Sequence, residues 1–207
     1  LLLTWSVVER KRSRFTMGAE ASKPGVAHAF VKLGKDGVAA SDAAFWNTVL
    51  SGNTPTYAAI PADSIRKAIK EVPQNVGLLA RMAVGKLAKA AEGKGNMPQV
   101  EQEGVLAAAS LLSRLLPIMY ESEHEHHLVE TIFWKGEMPG AAGGEAAIPL
   151  APGLMDSALV LMFRVGFTVA SEPERSAGWN GGITASMLKG SPKSLDMARV
   201  EILKLIL

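Results

Sequence analysis

The stretch from Pro73 to Glu121 carries two long runs of apolar residues at helical spacing, separated by a short glycine-containing turn, and this pairing limits the chain to an architecture of packed helices. In the first run Val76, Leu79, Ala80, Ala83, Val84, Leu87, Ala88 and Ala91 recur at i, i+3, i+4 and i+7, so they line one face. Arg81, Lys86, Lys89 and Glu92 fall largely outside that stripe. The second run opens with Pro98 at the first helical position. It carries Val105, Leu106, Ala108, Ala109, Leu111, Leu112, Leu115, Leu116 and Met119 over more than one face, as a helix packed between neighbours does. Gly93-Lys94-Gly95-Asn96 ends the first helix and permits reversal into the second.

The flanking chain repeats the theme. Ser41 or Asp42 caps a short helix bearing Phe45, Trp46, Val49 and Leu50, which stops at Ser51-Gly52-Asn53; its adjacent aromatics read as anchors into a core. A further helix runs from Pro61 through Glu71, with Ile65, Ala68, Ile69 and Val72 inward and Arg66, Lys67 and Lys70 outward. Pro117 removes one backbone donor and predicts a kink or a helix end. Leu128, Val129, Ile132, Phe133 and Trp134 form another apolar face, and Gly136 to Gly144 is a loop. The apolar run from Ile148 to Phe163 predicts a buried helix from about Pro152 to Arg164, after which Phe167-Thr168-Val169 continues extended. Ser171 to Ser194 reads as a surface loop around Trp179, and Ser194 or Asp196 starts the last helix.

The expected fold class is therefore all-α, with stacked antiparallel helices resembling an α-solenoid. With 207 residues, 48% of them hydrophobic, there is enough apolar material for one sizeable core. The absence of cysteine excludes a disulfide framework or a thiolate site and favours the cytosolic side of membranes. The formal charge of +2 comes from the first sixteen residues, where Arg10, Lys11, Arg12 and Arg14 face Glu9. From Met17 onward 18 basic residues meet 19 acidic ones, so the body has no electrostatic footprint for nucleic acid. Residues 1–16 fit neither a signal peptide nor a membrane span, and read as a disordered or non-native leader, 17–40 as an N-terminal arm, and 41–207 as the helical domain. The chain ends within the apolar run Ile202 to Leu207. That run predicts an N-terminal fragment whose remaining chain, beyond Leu207, covers it.

The arm opens with Met17-Gly18-Ala19-Glu20-Ala21-Ser22, which fits the N-myristoylation pattern. Removal of Met17 would free the Gly18 amine for an acyl chain, whereas an internal Gly18 would have none. One acyl chain binds membranes only marginally, so a second contact is required. Val26, Ala27, Phe30 and Val31 share a helical face there, while Lys23, Lys32 and Lys35 reach toward anionic headgroups. The competing reading is a short helix docked on the body.

Chemistry is sparse. Glu123-His124-Glu125-His126-His127 is the one cluster of ligand type. On a helix His124 and His127 lie about one turn apart, with Glu123 or Glu130 as an oxygen ligand. The zincin pattern fails because position 128 is Leu, so these three, His124, His127 and Glu130, are only weak metal candidates. Gly140 to Gly144 lacks the Lys-Ser/Thr of a phosphate loop, and Ser110, Ser113 and Ser157 have no His and Asp at recognisable spacing. No catalytic set and no cofactor is expected.

Pro61-Ala62, Ile65-Arg66, Glu71, Pro73, Asn75, Leu79, Ala83-Val84 and Lys86-Leu87, followed by Leu111-Leu112, Arg114 and Leu116-Pro117, resemble the N-terminal region of the high-temperature-induced dauer-formation (Hid) family, whose relatives include the dymeclin-like Golgi proteins. Phe45-Trp46, Phe133-Trp134, Phe167-Thr168-Val169, Trp179 with Gly182, and Glu201 to Leu205 extend the similarity, so that it spans Met17 to Leu205. The resemblance implies a peripheral membrane protein held by an acyl group on Gly18. It would be partly cytosolic and act on the cytoplasmic face of the Golgi or trans-Golgi network in secretory cargo sorting and vesicle formation, with protein partners recruited through helical surfaces. The basic leader and the Ala108-Ala109 pair depart from the family's pattern. Two other readings stand beside it: a soluble helical-repeat adaptor without a lipid, and a metal-binding protein using the histidine cluster.

Overall fold

A computed structural model describes residues 32–34, 42–51, 54–123, 127–137, 148–170 and 192–207. Helices form every extended element among them, and the one β-type contact is an isolated bridge between Val165 and Val169.

Helix α1 (Ala43–Val49) starts where a cap was expected: the Asp42 carboxylate accepts the Phe45 N–H at 3.0 Å. Phe45, Trp46, Val49 and Leu50 are buried, and the two aromatic rings meet edge to face at 5.0 Å. Helix α2 (Thr54–Ala58), a single turn, was not legible in the sequence. It carries Tyr57, fully buried, whose hydroxyl donates to the Val49 carbonyl at 2.7 Å. Helix α3 (Ala62–Glu71) buries Ile65, Ala68 and Ile69 and leaves Arg66, Lys67 and Lys70 exposed, as its amphipathic spacing requires.

Helices α4 (Pro73–Glu92) and α5 (Gln99–Glu121) are the expected central pair, packed on one another across the 93–98 turn. In α4 the buried set is Val76, Leu79, Ala80, Ala83, Val84, Leu87 and Ala90, whereas Ala88 and Ala91 are only half covered. Arg81 and Lys86, assigned to the outer face by spacing, are half-buried because α4 has neighbours on more than one side. Helix α5 does not end at Pro117 but continues for a further turn to Glu121, with the proline ring exposed. By length and composition α5 could cross a membrane. Its apolar surface is instead directed against α2, α3, α4 and the C-terminal helix.

A helical turn at 128–129 leads into π1 (Glu130–Lys135), a π-helix closed by Gly136 in the left-handed region (φ 75°). Leu128, Val129, Ile132 and Phe133 are buried, but Trp134, expected on the same face, is 62% exposed. The wider winding of a π-helix rotates Trp134 out of the stripe that 3.6-residue spacing predicts. Helices α6 (Leu150–Leu161) and α7 (Lys193–Ile206) complete the body, α6 lying on α4 and π1, and α7 on α5 and α6.

The segment after α6 is not extended. Residues 162–169 form a compact turn, with Gly166 at φ 78°, wedged against the 93–98 turn. Gln102 Nε2 donates to both the Gly166 and Met97 carbonyls at 2.8 Å, Arg164 donates to the Gly93 carbonyl, and Arg199 Nε donates to the Thr168 carbonyl at 2.7 Å. These backbone groups find side-chain partners in place of a strand ladder, which is why an extended reading fails here. The loop expected around Trp179 lies outside the described residues, except for its last residues, 192–194.

Candidate functional site

The expected membrane-contact residues divide between described and undescribed positions. Gly18, Lys23 and Lys35 lie outside the described residues; Lys32 lies within them. Residues 32 and 33 are helical, and Leu33 is 1% exposed. Its carbonyl accepts a hydrogen bond from Asn75 Nδ2 at 2.8 Å, in the first turn of α4, while Lys32 Nζ sits 5.5 Å from the centre of the Phe45 ring. At residues 32–34 the chain lies on the body, while Val26, Ala27, Phe30 and Val31, the face in question, lie outside the described residues. Leu33 is therefore unavailable for insertion into a bilayer.

Of the metal candidates, His124 lies outside the described residues. His127 and Glu130 are exposed and come together with Glu123, their ligand atoms all within 4.8 Å of one another. Glu123 has a structural task that accounts for its position: its carboxylate oxygens accept the Val129 N–H at 2.7 Å and the Glu130 N–H at 2.9 Å, capping the start of the next helical segment. Glu130 is paired with Lys135 at 2.8 Å, and that hydrogen bond holds its carboxyl below the usual range. His127, at φ 49°, supplies the bend between α5 and that segment. The geometry is that of a helix junction whose half-buried Glu123 and exposed His127 and Glu130 bring three ligand-type atoms close together.

Ser110 and Ser157 are buried, and each hydroxyl donates to a structural partner. Ser110 Oγ donates to Glu201 Oε2 at 2.8 Å, linking α5 to α7, and Ser157 Oγ donates to the Gly153 carbonyl within its own helix. Lys204 Nζ holds the other Glu201 oxygen at 2.6 Å, so this buried carboxylate is paired on both sides.

The largest departure from expectation is α6. It was expected to be buried from about Pro152 to Arg164. It buries Leu150, Leu154, Ser157, Ala158 and Leu161, but Met155, Leu159 and Val160 on its other side are exposed, as are Ile148 before it and Phe163 after it, the last to 76%. On α7 the same happens: Leu195, Ala198, Ile202 and Leu205 face the core, while Met197, Val200 and Leu203 face out. Helices α6 and α7 pack together, so two adjoining helices each carry an apolar stripe that the described residues leave exposed. A helix that is apolar on two sides is one built to lie between neighbours.

The model of the high-temperature-induced dauer-formation protein family matches residues 17–207. No curated protein and no solved structure matches the chain.

Proposed function

The chain belongs to the high-temperature-induced dauer-formation protein family, and from that premise we propose that it works as a non-enzymatic peripheral membrane scaffold on the cytoplasmic face of the Golgi or trans-Golgi network, in cargo sorting and vesicle formation. The observation that carries the scaffold reading is the uncovered apolar side of α6 and α7. The other helices contribute to one continuous core, and the described polar groups singled out by the sequence, Ser110, Glu123 and Glu201, have structural partners. What such a surface offers is a place for further helices to dock, such as those of a partner protein.

The lipid anchor is supported by the sequence around Gly18 and by a family match that opens at Met17. A myristoyl chain on Gly18 would leave the body reversibly bound, able to exchange between membrane and cytosol. Two measurements test this. Mass spectrometry of the N-terminal peptide isolated from cells should show a myristoylated Gly18, and Gly18→Ala should move the protein from the membrane fraction to the soluble one and away from trans-Golgi markers. A free, unmodified chain that fractionates with soluble proteins would make it a soluble helical adaptor instead. Stoichiometric zinc lost on replacing His127 and Glu130 would contradict the scaffold reading altogether.

A further inference from the structure

We infer that the end of the body where α3 meets α4 is the surface that faces an anionic lipid bilayer, with Lys32, Lys67 and Lys70 as its contacts. This rests on the reading of the chain as a peripheral membrane protein, and it names which face of that protein meets the lipid.

Asn75 holds the Leu33 carbonyl in the first turn of α4, so the segment carrying Gly18 reaches the folded body at this end. Fourteen residues lie between Gly18 and Leu33, a tether of at most about 50 Å when fully extended. The surface around Leu33 is the place where the arm meets the folded body.

That surface is basic. Helix α3 ends at Glu71 and α4 begins at Pro73, with only Val72 between them, so the last turns of α3 adjoin the arm's docking point. Lys67 and Lys70 are exposed on those turns, and Lys32 is exposed beside Leu33. Two carboxylates lie nearby, Glu71 at 3.8 Å from Lys67 and Asp42, which caps the helix whose Phe45 ring lies beside Lys32, and the first turn of α4 contains no acidic residue. Arg66 adds nothing here because Asp63 and Glu121 both hold its guanidinium. The far end of α4 is also basic, with Lys89 and Lys94 exposed, but it lies about 25 Å away along the helix, well over the ~8 Å range of electrostatic attraction in physiological salt. Basic residues at a membrane surface act cumulatively with an acyl chain too weak to anchor alone.

The chain has no cysteine, so Ser22→Cys creates a unique site on the arm for a maleimide-linked palmitoyl chain, independent of enzymatic acylation at Gly18. Binding of this lipidated chain is measured on vesicles of phosphatidylcholine alone and of phosphatidylcholine with 30% phosphatidylserine. The phosphatidylserine vesicles should bind it about tenfold more tightly, as two to three lysines near the surface predict after discounting for the Glu71 pair. Lys67→Ala with Lys70→Ala should reduce that preference several-fold, leaving the share due to Lys32 and the basic residues of the first 35, and leave binding to the neutral vesicles unchanged, while Lys89→Ala with Lys94→Ala should preserve it in full. Raising the salt to 0.5 M should abolish the preference in the otherwise unaltered lipidated chain, a readout that does not depend on a lysine variant folding. No preference for phosphatidylserine, or an equal loss from the two lysine pairs, would overturn the assignment. Failure of Gly18 to accept myristate, with the preference intact in the lipidated chain, would remove the natural anchor but not the face.

Discussion

Lys86 shows how a single side chain can be misplaced by periodicity and then explained by its neighbour. It was assigned to the outer face of α4, yet it is half-buried, because Gly104 on α5 leaves a groove over which its methylenes lie: a Cβ built at Gly104 would fall 2.5 Å from Lys86 Cε and 2.7 Å from Nζ. Burial lowers the pKa of the ammonium from its ordinary 10.5. Below the folded value both states are charged and the desolvation penalty is present in full. Between the folded value and 10.5 the unfolded chain holds the extra proton, so stability climbs with pH across that interval. Lys86→Met keeps the stem over Gly104 and discards the charge. It should raise Tm at pH 7 by about 1–2 °C, a modest figure because water still screens much of the group. The gain should shrink as pH approaches 10.5, and thermal melts of both chains across pH 7 to 10.5 would expose a gain that stays constant or has the opposite sign.

Whole helices were legible wherever one face was apolar and the other charged. Helix α3, with Ile65, Ala68 and Ile69 inside and Lys67 and Lys70 outside, was readable almost residue by residue. Helix α6 was not, since Leu150, Leu154 and Leu161 on the covered side are chemically indistinguishable from Met155, Leu159 and Val160 on the other. Apolar spacing says that a face wants a neighbour, but it carries no information about whether that neighbour is in the same fold. The candidate surface was therefore visible as composition and invisible as exposure. The single-turn α2 and the π-winding of π1 escaped for another reason, being too short to establish a period. The two methionines on the uncovered stripes give a direct test. In the 207-residue chain Met155 and Met197 should be oxidised readily by dilute peroxide, while Met119, fully buried in α5, resists. In the assembly isolated from cells both should slow several-fold toward the rate of Met119. Unchanged oxidation of the pair in that assembly would show that α6 and α7 are not a docking face.

At the scale of the whole molecule, two kinds of contact hold the helices in register, and they should fail separately. The α4–α5 pair carries the packing: α4 lies against α3, α5 and α6, and α5 against α2, α3, α4 and α7. The loops are pinned by guanidinium groups on main-chain carbonyls far away in sequence, Arg81 to Gly136, Arg114 to Ile60 and Arg164 to Gly93. Each arginine uses its fork on a carbonyl at a chain turn, where no helical N–H is available. Removing one clip should therefore loosen the turns it joins without exposing the core beneath. Arg164→Met eliminates the donor to Gly93 and frees the 162–169 turn from the 93–98 turn, leaving Gln102 to hold Gly166 alone. A hydrogen bond from a charged donor contributes about 1.5–3 kcal/mol, so amide protection at 93–98 and 162–169 should fall by roughly tenfold to a hundredfold. Amides in the middle of α4 and α5, around Leu79 to Leu87 and Val105 to Leu115, exchange only when the core opens and should slow or quicken far less. Hydrogen exchange resolved by segment decides the matter: an equal loss of protection in the loops and in the central helices would mean that the clip and the core are one cooperative unit, and that the turns are not a separable layer around the α4–α5 pair.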